Sequence, residues 1–361
     1  GILSKHIPTF KYKNSWSTII LQKGGRVMKL IFITDTHGMA SNPGSRLDVF
    51  SEALLKKMEY VGQYAREIGA TAILHGGDWL HTPDVSESFI REIARIVHSY
   101  PCPTFGVLGN HDIYGYNPTT FNRTSLGVAE GVGVFIRLDS EPKFLEGEGE
   151  FVALTGQDST FDLDKPGHEG MYTDTPTHET FRGKPCTDIH IVHGMLVERE
   201  WPQVACTVIS DIKDRCAADI ILTGHEHTGF GVKRYSNVTF CNPGSLARVT
   251  AGTGDVRKDV RMAVITVEGN HYDIELVNLP IDVARPASEV LDIDKLAEEK
   301  ANKENLQKFI TKMNNTTVQQ DFNVYESLNR LCEDQDIEDK VMEECRRQLE
   351  KAEESLNVIE D

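Results

Sequence analysis

Five short runs rich in β-branched and aliphatic residues each end in residue types that bind metals, and this recurrence constrains the fold more than any other feature of the chain. Residues 30–34 lead into Asp35-Thr36-His37, residues 71–74 into His75-Gly76-Gly77-Asp78, and residues 104–108 into Gly109-Asn110-His111-Asp112. Residues 189–192 lead into His193-Gly194, and residues 219–222 into Thr223-Gly224-His225-Glu226-His227. Side chains that follow the same end of neighbouring strands converge on one sheet edge. The glycines beside them let a backbone turn sharply and come close to a bound ion. The candidate donors are Asp35, His37, Asp78, Asn110, His193, His225 and His227: two carboxylates, one amide and four imidazoles. That set exceeds one tetrahedral zinc and suits two ions sharing a bridge, for which Asp78 is the expected carboxylate. Nitrogen and oxygen ligation without thiolates suits manganese, iron or zinc better than magnesium or calcium. Two such cations clamp a phosphate for in-line attack, so the chemistry expected is phosphoester hydrolysis.

The rest of the catalytic region reads as α/β, with further strands expected at 238–241 and 262–267. Leu47, Phe50, Leu54, Leu55, Met58, Val61 and Tyr64 recur at helical spacing, predicting a helix over 46–68. Phe89, Ile93, Ile96 and Val97 predict another. Residues 158–187 show no period and many turn formers, so a long loop is expected there, either functional or an irregular surface excursion. His6, His98, His168, His178, His190 and His271 are expected at the surface or in packing, and His75 near the site but outside the donor set.

The chain has 361 residues and a net charge of −17, unevenly spread. Residues 289–361 hold 20 acidic and 10 basic side chains, with no Gly or Pro. Two apolar stripes there, Leu296/Leu306/Phe309/Ile310/Met313 and Ile337/Val341/Cys345/Leu349/Ala352/Leu356, predict helices that pack back on the domain or meet a partner. Three segments are therefore expected: a leader over 1–28, a catalytic domain over 29–283 and an acidic helical tail over 284–361. Lys23-Gly24-Gly25 resembles a translated ribosome-binding site, which makes Met28 a candidate start. No apolar run approaches the ~18 residues of a membrane helix, and the first 28 residues lack a secretory signal pattern. Seven scattered cysteines without a CxxC pair suit a reducing cytoplasm, the expected location.

The ordered set DTH, GGD, GNHD, H and GHEH resembles the calcineurin-like metallophosphoesterase superfamily over about residues 29–250. The resemblance implies two packed mixed β-sheets flanked by helices, with a dinuclear site at the strand ends. It would place one metal on Asp35, His37, Asp78 and His227, and the other on Asp78, Asn110, His193 and His225. His111 would stabilise the phosphate or protonate the leaving oxygen, a task suited to a histidine pKa. In place of the GDxxDR of many phosphoprotein phosphatases stands Gly77-Asp78-Trp79-Leu80-His81. A histidine at that place is similar to the SbcD-type DNA repair nucleases, where it assists the histidine of GNHD. The run Asn242-Pro243-Gly244-Ser245 and a C-terminal helical extension also resemble that group. His111, His81 and Asp112 thus form the candidate catalytic set.

By this resemblance the substrate is DNA, the tail helices dock on an SbcC-like coiled-coil ATPase, and the chain forms a homodimer. The acidic balance fits poorly with DNA gripped by the chain's own surface, because duplex affinity comes mainly from Lys and Arg contacts. A small-molecule or nucleotide phosphodiesterase or phosphatase tolerates that charge better. A metal-free scaffold of the same fold is the third reading, opposed by the complete donor set. Loop 158–187 discriminates between the two enzyme readings: closed over the metals it admits a small ester, and open it leaves a groove for a polymer.

Overall fold

In the strand Met28–Ile33, Leu30 and Phe32 point to one face and Ile31 and Ile33 to the other, and all four are buried. A strand buried on both faces needs a layer above and a layer below. In the computed structural model, which describes residues 18–19, 27–201, 204–249 and 253–293, those layers are present. Leu30 and Phe32 join Leu74, Phe105, Leu154, Ile191, Leu222 and Ile265 between two sheets. Ile31 and Ile33 pack with Leu54, Met58, Val61 and Ile93 of the helices Phe50–Ile68 and Glu87–His98.

The first sheet has six strands in the order His271–Asn278, Arg261–Glu268, Met28–Ile33, Ala72–His75, Thr104–Gly106 and Ile136–Arg137. Its last four strands run parallel, and its first two form an antiparallel hairpin against them. The second sheet is also mixed. Its parallel centre is Phe151–Gln157, Lys184–Val192, Ile220–Thr223 and Thr239–Asn242. Lys143–Glu146 and Gly231–Arg234 add antiparallel strands at the two sides. Thr18–Ile19 pairs with Phe144 and Leu145 beyond Lys143–Glu146. On the outer face of this sheet, Val192, Ile221 and Phe240 are covered by Leu163, Tyr172, Ile209 and Ile212.

The architecture is the expected one, and the differences are local. The first helix starts at Phe50, not 46: Leu47 is 60% exposed, while Arg46 and Leu291 form an isolated β-bridge. Segment 158–187 is not one loop. It contains the short helix Gly170–Thr173 and the strand Thr180–Phe181, and it ends inside the nine-residue strand Lys184–Val192. The buried strand Phe151–Gln157 was not expected, its pattern being interrupted by Gly156. A Cβ at Gly156 would lie 2.6 Å from Leu138 Cβ and Val107 Cγ1, so glycine here lets the layers close. Among the described residues no helix is long and apolar enough to cross a membrane. The expected tail helices lie outside the described residues, as do residues 1–17 and 20–26 of the expected leader.

Leu222 is fully buried between the sheets, one residue before the loop that carries His225 and His227. Leu222→Ala is expected to lower unfolding free energy by about 2–5 kcal/mol, read from urea denaturation.

Candidate metal centre

The two sheets bring their C-terminal strand edges together, and the candidate donors come from both. Met28–Ile33, Ala72–His75 and Thr104–Gly106 lead into Asp35/His37, Asp78 and Asn110; Lys184–Val192 and Ile220–Thr223 lead into His193 and His225/His227. Carboxyl ends of parallel strands are the usual binding edge of such sheets. Backbone bonds carry the pairing past the strand ends, from Asp35 N to Gly77 O (3.1 Å), His37 N to Asp78 O (2.9 Å) and Gly38 N to Trp79 O (2.8 Å). Bonds also cross between the sheets at this edge. The His193 ring holds Gly76 O through Nδ1 (2.7 Å), and His225 N donates to Asp35 Oδ2 (3.1 Å).

The donors fall into two groups that share Asp78. Asp35, His37, Asp78 and His227 form one, and Asp78, His193 and His225 the other, with ligand atoms inside each group within 4.8 Å of one another. His37 Nε2 lies 3.6 Å from Asp78 Oδ2 and 2.9 Å from His227 Nε2; His193 Nε2 lies 3.3 Å from Asp78 Oδ2. Asp35, His37, Asp78 and His193 are buried, whereas Asn110, His225 and His227 are half-buried along the open side.

Four of the candidate donors, Asp35, His37, Asp78 and His225, adopt positive φ of 51°, 44°, 51° and 75°. Non-glycine residues take this region at a cost, and such strain gathers at functional sites. The approach to Asp78 is equally close: a Cβ on Gly109 would stand 1.9 Å from Asp78 Oδ1. Only glycine passes there.

The electrostatics favour bound cations. Burial opposes ionisation of Asp35 and Asp78, but surrounding histidines hold both well below the usual carboxylate range. Burial pushes His37 down to about 3 and also lowers His225, so these imidazoles are neutral and keep lone pairs. For His193 burial is outweighed by Asp78, which raises it to about 10. A proton there occupies the place where the buried anion calls for positive charge, and cation binding displaces such protons. Asn110 Oδ1, His193 Nε2 and His37 Nδ1 are buried without a hydrogen-bond partner. Buried polar atoms without a partner are costly, and His193 Nε2 lies among nitrogen and oxygen donors suited to divalent ions. The residues therefore fit two cations, one that would be held by Asp35, His37, Asp78 and His227 and one by Asp78, His193 and His225, to which the family resemblance adds Asn110. When bound, these supply Lewis acidity and charge neutralisation for attack at phosphorus.

His111 and His81 stand on the same open side. His111 N donates to Asp78 Oδ1 (2.9 Å), and its ring holds His81 O through Nδ1 (2.7 Å). The His81 and His111 rings stack at 5.1 Å, and the His111 ring meets His37 edge-on at 4.9 Å. This leaves His111 Nε2 as the ring's free nitrogen.

Asp112, expected among the catalytic residues, has a different task. Its Oδ1 accepts from Leu80 N (2.9 Å), and its Oδ2 accepts from Gly109 N (2.9 Å) and Trp79 N (3.2 Å). The carboxylate, with no exposure, ties the loop of Asp78 to the loop of Asn110 and His111. Burial and the Asp78 charge push its pKa up to about 8 against those amides. It is a positioning residue.

Several further residues frame the site, and of these Asp164 carries no signal in the sequence. His75 stacks on Trp79 at 3.7 Å and bonds Thr36 Oγ1 (3.1 Å). Asp164, inside the expected loop, accepts from Met195 N (2.6 Å), Tyr172 Oη (2.7 Å) and Thr207 Oγ1 (2.7 Å), and Met195 bridges to His225. Asn242 Nδ2 donates to Glu226 O (2.8 Å) and Ser245 N to His227 O (2.9 Å), so the 242–245 run braces the last ligand loop. Of the remaining histidines, His190 is buried against Thr155 and Met171, His178 pairs with Asp188, and His98, His168 and His271 are exposed. His6 lies outside the described residues.

A family described as calcineurin-like phosphoesterase matches residues 28–229. Among solved structures, the chain is similar to protein TT1561 of Thermus thermophilus, with 14% identity, 70% of this chain and 99% of that chain covered, and a TM-score of 0.40. A purple acid phosphatase from yellow lupin seeds is 13% identical, covering 71% of this chain and 52% of that one at a TM-score of 0.44. A dimetal phosphatase from Danio rerio is 10% identical, covering 70% and 99% at 0.42. No curated protein matches the sequence.

Gly109→Ala is expected to weaken divalent-metal binding about tenfold or more by calorimetry while leaving the far-ultraviolet circular dichroism unchanged. Asp112→Asn, which sets an amide group against backbone donors, is expected to cost about 1–3 kcal/mol in urea denaturation.

Proposed function

The chain belongs to the calcineurin-like phosphoesterase family, and on that premise we propose that it is a manganese-dependent phosphodiesterase acting on DNA, the nuclease subunit of an SbcD-like complex. The observation that carries this reading is the His81–His111 pair on the open side of the donor groups. Cleaving a phosphodiester expels an alkoxide, a poor leaving group that needs a proton at the moment of departure. In this reading His111 delivers it from Nε2, supported by the hold of the His81 carbonyl on Nδ1 and of Asp78 on the backbone amide. His81 fixes the ring's direction; it touches His111, and its role is positioning.

Segment 158–187 supports a polymer substrate by where it is anchored. Ser159 N bonds Leu108 O, and Leu163 and Tyr172 sink into the outer face of the second sheet. The half-exposed side chains of Asn110, His111, His225 and His227 mark an edge that a strand can follow. The net charge of −17 favours the second reading, a nucleotide or small-ester phosphodiesterase. A partner ATPase that supplies its own DNA surface, reached through the acidic tail, reconciles the charge with DNA as substrate. That partner and a homodimer rest on the family resemblance.

Purified full chain with Mn²⁺ is expected to cleave linear DNA and bis-p-nitrophenyl phosphate. His111→Ala should lower both rates by about 10²–10⁴-fold with bound manganese unchanged. Turnover of the small ester alone, with DNA left intact, would favour the second reading.

A further inference from the structure

Behind the metal centre, four cationic side chains are buried together: Arg46, Lys57, Arg248 and Lys258 are only 8, 5, 7 and 5% exposed. A buried charge without a counter-ion is costly, so each should have a carboxylate. Two do. Arg46 is paired with Asp48 (2.6 Å), which Arg285 also contacts (3.0 Å), and Lys258 is paired with Asp255 (2.6 Å). Among the described residues, the other two bind carbonyls only. Lys57 Nζ donates to Leu246 O (2.9 Å), and Arg248 donates to the backbone oxygens of Asp255 (3.0 Å), Arg285 (2.9 Å) and Lys258 (2.7 Å). Among the described residues, neither forms an ion pair with a carboxylate.

Lys57 and Arg248 line one small cavity, together with Arg46 and Arg285, the Asp48 carboxylate that those two arginines share, and the apolar Ala53, Val283 and Val290. Its volume is about 20 Å³. A space of this size accepts a small occupant such as a water molecule or a single-atom ion. Water would satisfy a donor of Lys57 but leave the excess positive charge in place. Burial first, and then the charges of Arg248, Lys258 and Arg46 against that of Asp48, lower the Lys57 pKa to about 7.

We infer that this cavity is a binding site for one small monovalent anion of chloride size, held by Lys57 and Arg248. The anion completes the charge balance of the layer that supports the metal centre. Lys57 grips Leu246 O, and Leu246 N in turn donates to Thr34 O, next to Asp35. The site is independent of which phosphoester the metal centre hydrolyses.

Crystals of the protein soaked in sodium bromide test this by anomalous scattering at the bromine edge. The expected result is a peak within hydrogen-bonding reach of Lys57 Nζ and the Arg248 guanidinium, absent from Lys57→Gln crystals. Bromide found only at the surface of the wild-type protein would overturn the inference, as would a cavity peak that persists in Lys57→Gln. In solution, the wild-type melting temperature should be higher in sodium chloride than in sodium gluconate at equal ionic strength, and equal melting in the two salts would also overturn it.

Discussion

Asp35 and Asp78 follow neighbouring parallel strands with almost no exposure, and the rest of the centre is arranged around these two buried anions. Isolated buried carboxylates are unstable, so the fold must surround them with positive charge or donors. The two groups of imidazoles, the backbone amides of His111 and His225, and the hydroxyl of Thr34 (2.6 Å from Asp35 Oδ2) do so. Even then, buried acceptors remain unpaired on Asn110 and two of the histidines. The geometry is complete as a receptor for cations and incomplete as a closed hydrogen-bond network. The positive φ angles of four donors express the same constraint in the backbone.

The candidate site was legible in the sequence because its donors follow strands, and strands declare themselves by β-branched runs. Parallel order then forces the ends to one edge, so Asp35, Asp78 and Asn110 needed no tertiary information to be grouped. The supporting shell was not legible for the opposite reason. Asp164 meets Met195 across 31 residues of chain and His193 meets Gly76 across 117, and no local pattern encodes such pairs. Asp112 shows the hazard of reading by adjacency: one residue from His111, it turns its carboxylate to three amides and away from the chemistry. The strand Phe151–Gln157 was hidden by a glycine that is there for packing, and Leu47 fitted a helical stripe although the chain at that point pairs as a bridge with the 290–292 segment.

Layering explains how a strongly acidic chain concentrates cationic groups where they act. Lys57 and Lys258 sit beneath the first ligand loop, bonded to Leu246 O and Ala247 O. Leu246 and Ala247 in turn donate to the carbonyls of Thr34 and Asp35. Surface charge and site charge are thus separate quantities in this fold. Net charge bears on how a polymer would approach, and the buried layer bears on what the site holds.

Asp78 is the one side chain common to the Asp35/His37/His227 and His193/His225 groups, which makes it the carboxylate that would serve both cation positions. Manganese bound per chain, measured by elemental analysis after equilibrium dialysis of the wild-type protein and of Asp78→Asn, tests it most directly. Two ions per wild-type chain are expected, with loss of tight binding at both positions in the variant. One ion per wild-type chain, or a variant that keeps one ion at wild-type affinity, would contradict it.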